Sequence, residues 1–186
     1  MYYSQFGEDK FLDELGVLPK KGVFVDVGAG GIENSNSLFF EKKGWKVLCI
    51  EPDERHLGLK DRKLVDNSVV GSREESVYFV FHRYPQLSGL FHNKKFAVKL
   101  PMLKLDTILK KYNIKNIDVL SIDVEGNELD VLKGFNINKY KPTFMIVEYI
   151  NPSKGNKQTD LINFFKENGY QLIYKTQSNL IVKCLM

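Results

Sequence analysis

The amino-acid sequence predicts an α/β protein with a mostly parallel sheet. Four short runs rich in β-branched and apolar residues have the composition of buried parallel strands. Each run is followed by a segment with helical patterning, and this alternation is typical of βαβ units. The four runs lie at residues 23–27, 46–51, 117–124 and 142–149.

The connecting segments predict the helices and their ends. Gly44, Gly134 and Gly169 stand where helices commonly end in a left-handed residue. The four helices that these patterns predict lie at residues 36–44, 53–62, 127–135 and 159–169.

The rest of the chain predicts a third strand, an insertion and a hairpin. Residues 63–71 contain the third strand, and a basic insertion follows at about residues 82–99. The apolar runs 170–176 and 179–185 flank Gln177 and Ser178 and predict an antiparallel hairpin at the C-terminal side of the sheet.

Length and composition fit a single domain over residues 1–186. The chain is 43% apolar and has a net charge of +4, which by itself does not indicate a nucleic-acid-binding protein. Cys49 and Cys184 lie in apolar runs and are interpreted as buried hydrophobic residues, which favours a reducing compartment. Since no basic leader or long apolar run is present, we expect a cytoplasmic protein that does not contact a membrane.

A glycine-rich turn directly follows the first predicted strand, in the sequence FVDVGAGGIENSNS. Glycine lets the main chain approach a ligand closely, so this turn predicts a nucleotide-like ligand. Glu33 occupies the position where a dinucleotide site requires a small residue, which disfavours NAD. S-adenosylmethionine carries positive charge and no phosphate, so the carboxylate of Asp26 is suited to lie near it. Gly28 and Gly30 of the same turn would contact its amino-acid part.

Glu51 ends the second predicted strand, 23 residues after Gly28. An acidic residue at this spacing can accept hydrogen bonds from both ribose hydroxyls of a nucleotide. The alternative is a tight turn with two surface acids. The combination of Asp26, Gly28, Gly30 and Glu51 favours the cofactor site.

Several strings of the sequence resemble the FkbM-type methyltransferases. They are VFVDVGAG, NSNSLFFEKKGWKVLCIEP, LSGL, LDTIL, SIDVEGNELDVLKGF and IVEYIN. The resemblance implies a seven-stranded Rossmann-like methyltransferase sheet, S-adenosyl-L-methionine as cofactor, and methylation of a hydroxyl oxygen on a sugar or natural product. The cofactor positions that it implies are Asp26, Gly28, Gly30, Glu51, Asn67, Ser68 and Asp123, with Asn67 and Ser68 near the adenine.

Acidic residues lie near the carboxyl ends of the four predicted strands, at Asp26, Glu51, Asp123 and Glu148. Because ligands of open α/β sheets bind outside the carboxyl ends of the strands, we expect these four carboxylates to converge on one crevice. Asp123 is the first candidate for orienting or deprotonating the acceptor, and Glu148 is the second. A metal held by Asp123 and Glu148 would lack a third ligand, so the sequence leaves the metal requirement open.

The insertion and its flanking residues contain basic side chains and no acidic ones. No carboxylate occurs between Glu75 and Asp106, whereas His82, His92 and several lysines and arginines do. The histidines are further candidate bases. The positive charge favours an anionic acceptor such as a phosphorylated or nucleotide-linked sugar, and the interleaved aromatic residues keep RNA as an alternative. A non-catalytic nucleotide-binding module is the other alternative.

Overall fold

The computed structural model describes residues 1–85, 88–90, 97–151 and 155–185 of the chain. The strands are β1 (Val23–Val27), β2 (Lys46–Ile50), β3 (Val65–Asp66), β4 (Val69–Val70), β5 (Glu75–Val80), β6 (Gly89–Leu90), β7 (Ala97–Leu103), β8 (Val119–Ile122), β9 (Phe144–Glu148), β10 (Ile150–Asn151), β11 (Gly155–Asn156), β12 (Tyr170–Lys175) and β13 (Asn179–Cys184).

The α-helices lie on either side of β1 and again between β7 and β12. They are α1 (Glu8–Glu14), α2 (Leu38–Lys42), α3 (Leu105–Lys111), α4 (Glu128–Lys133), α5 (Ile137–Tyr140) and α6 (Gln158–Glu167), with a 3-10 turn at Leu59–Asp61. None of the helices in the described part of the chain combines the length and apolarity that crossing a bilayer requires.

A seven-stranded sheet forms the centre of the fold, in the order β12-β13-β9-β8-β1-β2-β3. The strands β9, β8, β1, β2 and β3 are parallel, and β13 runs antiparallel between β9 and β12. This arrangement confirms the predicted Rossmann-like sheet, mostly parallel with a C-terminal antiparallel hairpin.

Two apolar layers cover the sheet. On one face α3, α4 and α6 pack through Ile108, Val131 and Leu161. The other face, which we call the α1 face, is covered by Leu12 of α1 and by the aromatic residues of α2 around Phe24. Side chains point to alternate faces along a strand, so Asp26, two residues after Phe24 on β1, also points to the α1 face.

A second sheet, β4-β7-β5-β6, is formed by the region that contains the basic insertion. The predicted third strand at 63–71 is therefore divided between the two sheets, since β3 joins the central sheet and β4 joins the second one. Period-2 patterning does not specify which sheet a strand joins, so this division was not visible in the sequence.

Two further predictions are wrong in detail. The helix expected at 53–62 is reduced to the 3-10 turn, because Gly58 has a φ of +71° and interrupts helical geometry. Gly134 is not left-handed: its φ is −86°. A Cβ there would lie 2.3 Å from the carbonyl oxygen of Gly71, so close packing requires this glycine. Gly44 and Gly169 are left-handed, as predicted.

Candidate active site

A crevice of about 900 Å³, including the solvent at its mouth, opens at the carboxyl ends of β1, β2 and β8. Its size lies within the range of small-molecule sites. The central sheet contributes one wall, which includes Ile50. The second sheet contributes the opposite wall through Val70, Phe79 and Leu90. The described part of the insertion therefore borders the crevice.

The glycine turn after β1 forms the floor of the crevice. Gly28 has a φ of +74°, and a Cβ at this position would lie 1.6 Å from the carbonyl oxygen of Asp123. Gly30 has a φ of +54° and also lines the crevice. Only glycine fits at position 28, since both the backbone conformation and the approach of Asp123 exclude a side chain.

Glu51 lies in the crevice wall and is held by the backbone. Its Oε2 accepts a hydrogen bond from the Gly30 amide at 3.1 Å, and its Oε1 accepts one from the Asp53 amide at 2.9 Å. Burial raises the pKa of Glu51 to about 7. His56 lies 3.9 Å away through its Nε2 and lines the same wall. The carboxylate is thus fixed in orientation before a ligand binds.

Asp53 connects the loop after β2 to the second sheet. Its carboxylate accepts two hydrogen bonds from the Arg55 guanidinium, at 2.8 and 2.6 Å, and one from Ser88 Oγ at 2.7 Å. Arg55 in turn donates to the carbonyl oxygen of His82 at 2.7 Å. We call Asp53, Arg55 and Ser88 the clamp, because they hold the second sheet against the crevice. The string EPDERH was visible in the sequence, but Ser88 and His82, which connect Asp53 and Arg55 to the second sheet, lie 35 and 27 residues away from them.

Asp26 is buried on the α1 face and is not among the residues that line the crevice. Its Oδ2 accepts a hydrogen bond from Ser37 Oγ at 2.5 Å, and Arg62 donates to the same hydroxyl at 2.7 Å. Arg62 also pairs with Glu41 at 2.6 Å. Burial raises the pKa of Asp26. The side chain links β1 to α2, so any effect on a ligand would pass through the intervening loop.

Ser68 and Asn67, the two residues expected near the adenine, differ in their position relative to the crevice. Ser68 lines the crevice beside Val69. Asn67 does not line it, and its Nδ2 donates to the carbonyl oxygen of Glu51 at 2.9 Å. Asn67 therefore steadies the end of β2.

Asp123 follows β8 and lines the crevice, and its carboxyl lies within hydrogen-bond reach of Glu148 at the end of β9. Burial, together with the negative charges of Glu125 and Glu128, raises the pKa of Asp123. Burial and the charge of Asp123 likewise raise the pKa of Glu148. Two adjacent carboxylates cannot both ionise at low cost, which is why the pKa of each group is raised. Glu148 lies behind Asp123 and does not line the crevice.

The turn between β8 and α4 is held in an unusual conformation. Glu125 and Gly126 have φ values of +55° and +90°. The Glu128 Oε1 accepts hydrogen bonds from the amides of Val124 at 3.2 Å and Gly126 at 2.7 Å. Glu128 therefore has a structural role, and the turn places Glu125 and Asn127 in the crevice wall.

The described wall of the crevice carries acids and no lysine or arginine. The acids are Glu33, Glu51, Asp123 and Glu125. His82 is not part of the wall, and its Nδ1 accepts a hydrogen bond from the Tyr84 amide. The candidate base His92, like most of the insertion's tip, lies outside the described residues.

These features define the class of the protein, a Rossmann-like methyltransferase fold with a ligand crevice at its glycine turn. The protein-family comparison matches residues 23–172 to the Methyltransferase FkbM domain, which is more than half of the chain. The chain belongs to the FkbM methyltransferase family, and the predicted resemblance is confirmed. The searches of curated proteins and of solved structures gave no match.

Proposed function

We propose that the protein is an S-adenosylmethionine-dependent O-methyltransferase that acts on a hydroxyl of a small, carbohydrate-derived acceptor. The observation that carries this proposal is the buried Glu51 carboxylate, which the Gly30 and Asp53 amides orient in the crevice wall. Such a carboxylate can accept hydrogen bonds from both hydroxyls of a ribose. The glycine turn beside it allows the amino-acid part of the cofactor to approach the backbone.

The charge of the crevice distinguishes this cofactor from a dinucleotide. Four acids and no lysine or arginine line its described wall. A pyrophosphate would be repelled there, whereas the sulfonium and ammonium groups of S-adenosylmethionine are attracted. NAD is therefore disfavoured by electrostatics as well as by Glu33.

Methyl transfer needs alignment and a destination for one proton. The acceptor oxygen attacks the methyl carbon, the carbon–sulfur bond breaks, and its electron pair remains on sulfur as the neutral thioether. The enzyme must hold the oxygen about 3–3.5 Å from the methyl carbon. Asp123 lies in the crevice wall with a raised pKa, so it is suited to orient the hydroxyl and take its proton.

The proposal is tested by ligand-dependent stability and by product analysis. At a ligand concentration 100 times Kd, S-adenosylmethionine or S-adenosylhomocysteine should stabilise the fold by about 2.7 kcal/mol, and NAD should not. The protein is then incubated with labelled cofactor and with pools of sugars, nucleotide-sugars and RNA, and products are examined by mass spectrometry for one added methyl group. Equal stabilisation by NAD would refute the cofactor assignment. Transfer only to RNA would refute the acceptor, and binding without any transfer would indicate a non-catalytic module.

A further inference from the structure

Two buried side-chain atoms lack a hydrogen-bond partner among the described residues, and they lie on neighbouring strands. They are Glu148 Oε2 and Asn179 Oδ1. Glu148 and Asn179 are paired in the antiparallel register of β9 and β13. Residues paired in this way point to the same face, with Cβ atoms about 4.5–5.5 Å apart. Because unpartnered buried polar atoms are rare and costly, two together indicate a missing ligand.

The orientation of Asn179 is fixed from behind. Its Nδ2 donates to Glu8 Oε1 at 2.7 Å, and Glu8 is fully buried. The carboxylate of Glu8 requires a donor, so the amide nitrogen faces Glu8 and the carbonyl oxygen is the unpartnered end. Asn179 itself is only 5% exposed. It therefore presents an oxygen acceptor on the α1 face beside Glu148.

The chemistry of the surrounding groups selects a cation. The Asp123 carboxyl adjoins Glu148, so the available atoms are carboxylate and amide oxygens. The nearby Glu125 and Glu128 add negative charge, and the Lys157 ammonium is engaged by the carbonyl oxygen of Gly126. Hard divalent cations such as Mg²⁺ prefer carboxylate and carbonyl oxygens.

We propose that Asp123, Glu148 and Asn179 together hold a divalent cation of the magnesium class. Among the described residues, no three histidine, cysteine, aspartate or glutamate side chains group as metal ligands, so the third protein ligand is the amide oxygen. This oxygen supplies the ligand that the sequence did not identify.

The position gives the cation a role at the reaction end of the crevice. If the proposed methyl transfer is correct, a cation held beside Asp123, which lines the crevice, would act as a Lewis acid toward the acceptor hydroxyl and lower its pKa. The proton would then leave to solvent, and the oxygen would attack the methyl carbon as described above. Cation binding is measured without cofactor or acceptor, so its failure is distinguishable from failure of the proposed function.

Titration of the ligand-free protein with Mn²⁺, followed by electron paramagnetic resonance of the free ion, tests the site. We expect one Mn²⁺ per chain, displaced by Mg²⁺. Glu148→Gln should weaken Mn²⁺ binding about tenfold or more, because one charged ligand is lost. Asp160→Asn removes one exposed charge from α6 and should leave the affinity within about twofold. Absence of Mn²⁺ binding, or equal affinity in Glu148→Gln, would overturn the proposal.

Exchanging the carboxylate and the amide between positions 8 and 179 should strengthen cation binding. The double variant Glu8→Gln with Asn179→Asp keeps the hydrogen bond between positions 8 and 179 and moves the carboxylate to the cation site. It should strengthen Mn²⁺ binding about tenfold, because affinity rises with the charge of the ligands. Unchanged or weaker binding in the folded double variant would contradict the assignment of Asn179. If the double variant does not fold, the result for Glu148→Gln decides.

Discussion

The two ends of the crevice differ in how completely the protein satisfies its own polar groups. At the β1 and β2 end, both oxygens of Glu51 accept backbone hydrogen bonds, and Asp53 is engaged by Arg55 and Ser88. At the β8 and β9 end, burial and the neighbouring carboxylates raise the pKa of Asp123 and of Glu148, and Glu148 Oε2 has no hydrogen-bond partner among the described residues. The β1 and β2 end is therefore preorganised before a ligand binds. The β8 and β9 end has a buried oxygen whose hydrogen-bonding or coordination partner is supplied by a ligand. We therefore expect cofactor affinity to depend on the first end and turnover on the second.

Asp123→Asn should produce the largest effect. The substitution keeps the shape of the side chain but removes its charge and basicity. We expect kcat and kcat/KM to fall together by about 10²–10⁴, as for the loss of a catalytic acid or base. Cofactor affinity, measured by calorimetry, should change far less. The exposed substitution Asp160→Asn serves as the matched control.

If Asp123→Asn kept near-normal turnover but lost cofactor affinity, the assignment of binding and turnover to separate ends of the crevice would be wrong. Asp123 would then belong to the binding end, and the base would have to be sought at Glu148 or at His92.

The second-largest effect that we expect is on the free energy of unfolding as a function of pH. The pKa of Glu51 is about 7 in the fold and 4.5 in the unfolded chain, so the folded state holds the proton more tightly. The burial penalty is absent below pH 4.5 and fully present above pH 7, and stability falls as the pH rises between them. The shift corresponds to about 3 kcal/mol. Asp123 and Glu148 act in the same direction.

The contribution of Glu51 is isolated by comparing variants. Denaturant unfolding of the ligand-free protein at pH 5 and pH 8 should show a smaller loss of stability in Glu51→Gln than in the native chain. An identical pH dependence in both proteins would show that Glu51 is ionised in the fold throughout this range.

Glu51→Ala should weaken cofactor binding about ten- to a hundredfold, because a hydrogen bond to a charged group contributes about 1.5–3 kcal/mol. Turnover at saturating cofactor should stay within about threefold of the native value, since the reaction end is unchanged. Calorimetry and initial rates measure the two quantities. A large fall in kcat at saturation would show that the two ends are not separable.

Much of the fold could be predicted because its signals are local. The strand runs, the hairpin and three of the six described helices, α2, α4 and α6, follow from apolar periodicity and glycine punctuation within short windows, whereas α1, α3 and α5 were not predicted. The crevice could be placed at the carboxyl ends of the strands, and Glu51 and Asp123 do line it.

The remaining features depend on residues far apart in the chain. Asp26 lies near the carboxyl end of its strand, as Glu51 does, yet strand alternation points it to the α1 face, where Ser37 donates a hydrogen bond to it. The contact of Asp53 with Ser88 joins residues 35 positions apart, and the pairing of Glu148 with Asn179 joins residues 31 positions apart. Sequence periodicity carries no information on such tertiary pairs, so these features required the structure.

Arg55→Leu should produce the smallest effect and tests whether the clamp belongs to the binding end. The Arg55 guanidinium is 46% exposed, so its ion pair with Asp53 contributes modestly to stability. Its loss frees the carbonyl oxygen of His82 and loosens the wall formed by the second sheet. We expect cofactor affinity to fall about three- to tenfold with kcat unchanged, because positioning residues commonly have effects of this size or larger.

A matched control separates this role from a general effect on the second sheet. Arg73→Leu breaks an exposed contact with Glu75 in β5, away from the crevice, and should leave cofactor affinity unchanged. Arg55→Lys keeps the charge but cannot form the two-pronged contact with Asp53, so it should resemble Arg55→Leu. If Arg55→Lys retains full affinity, charge alone holds the wall. If Arg73→Leu weakens binding equally, the clamp has no special role, and the preorganised end of the crevice reduces to Glu51 and the glycine turn.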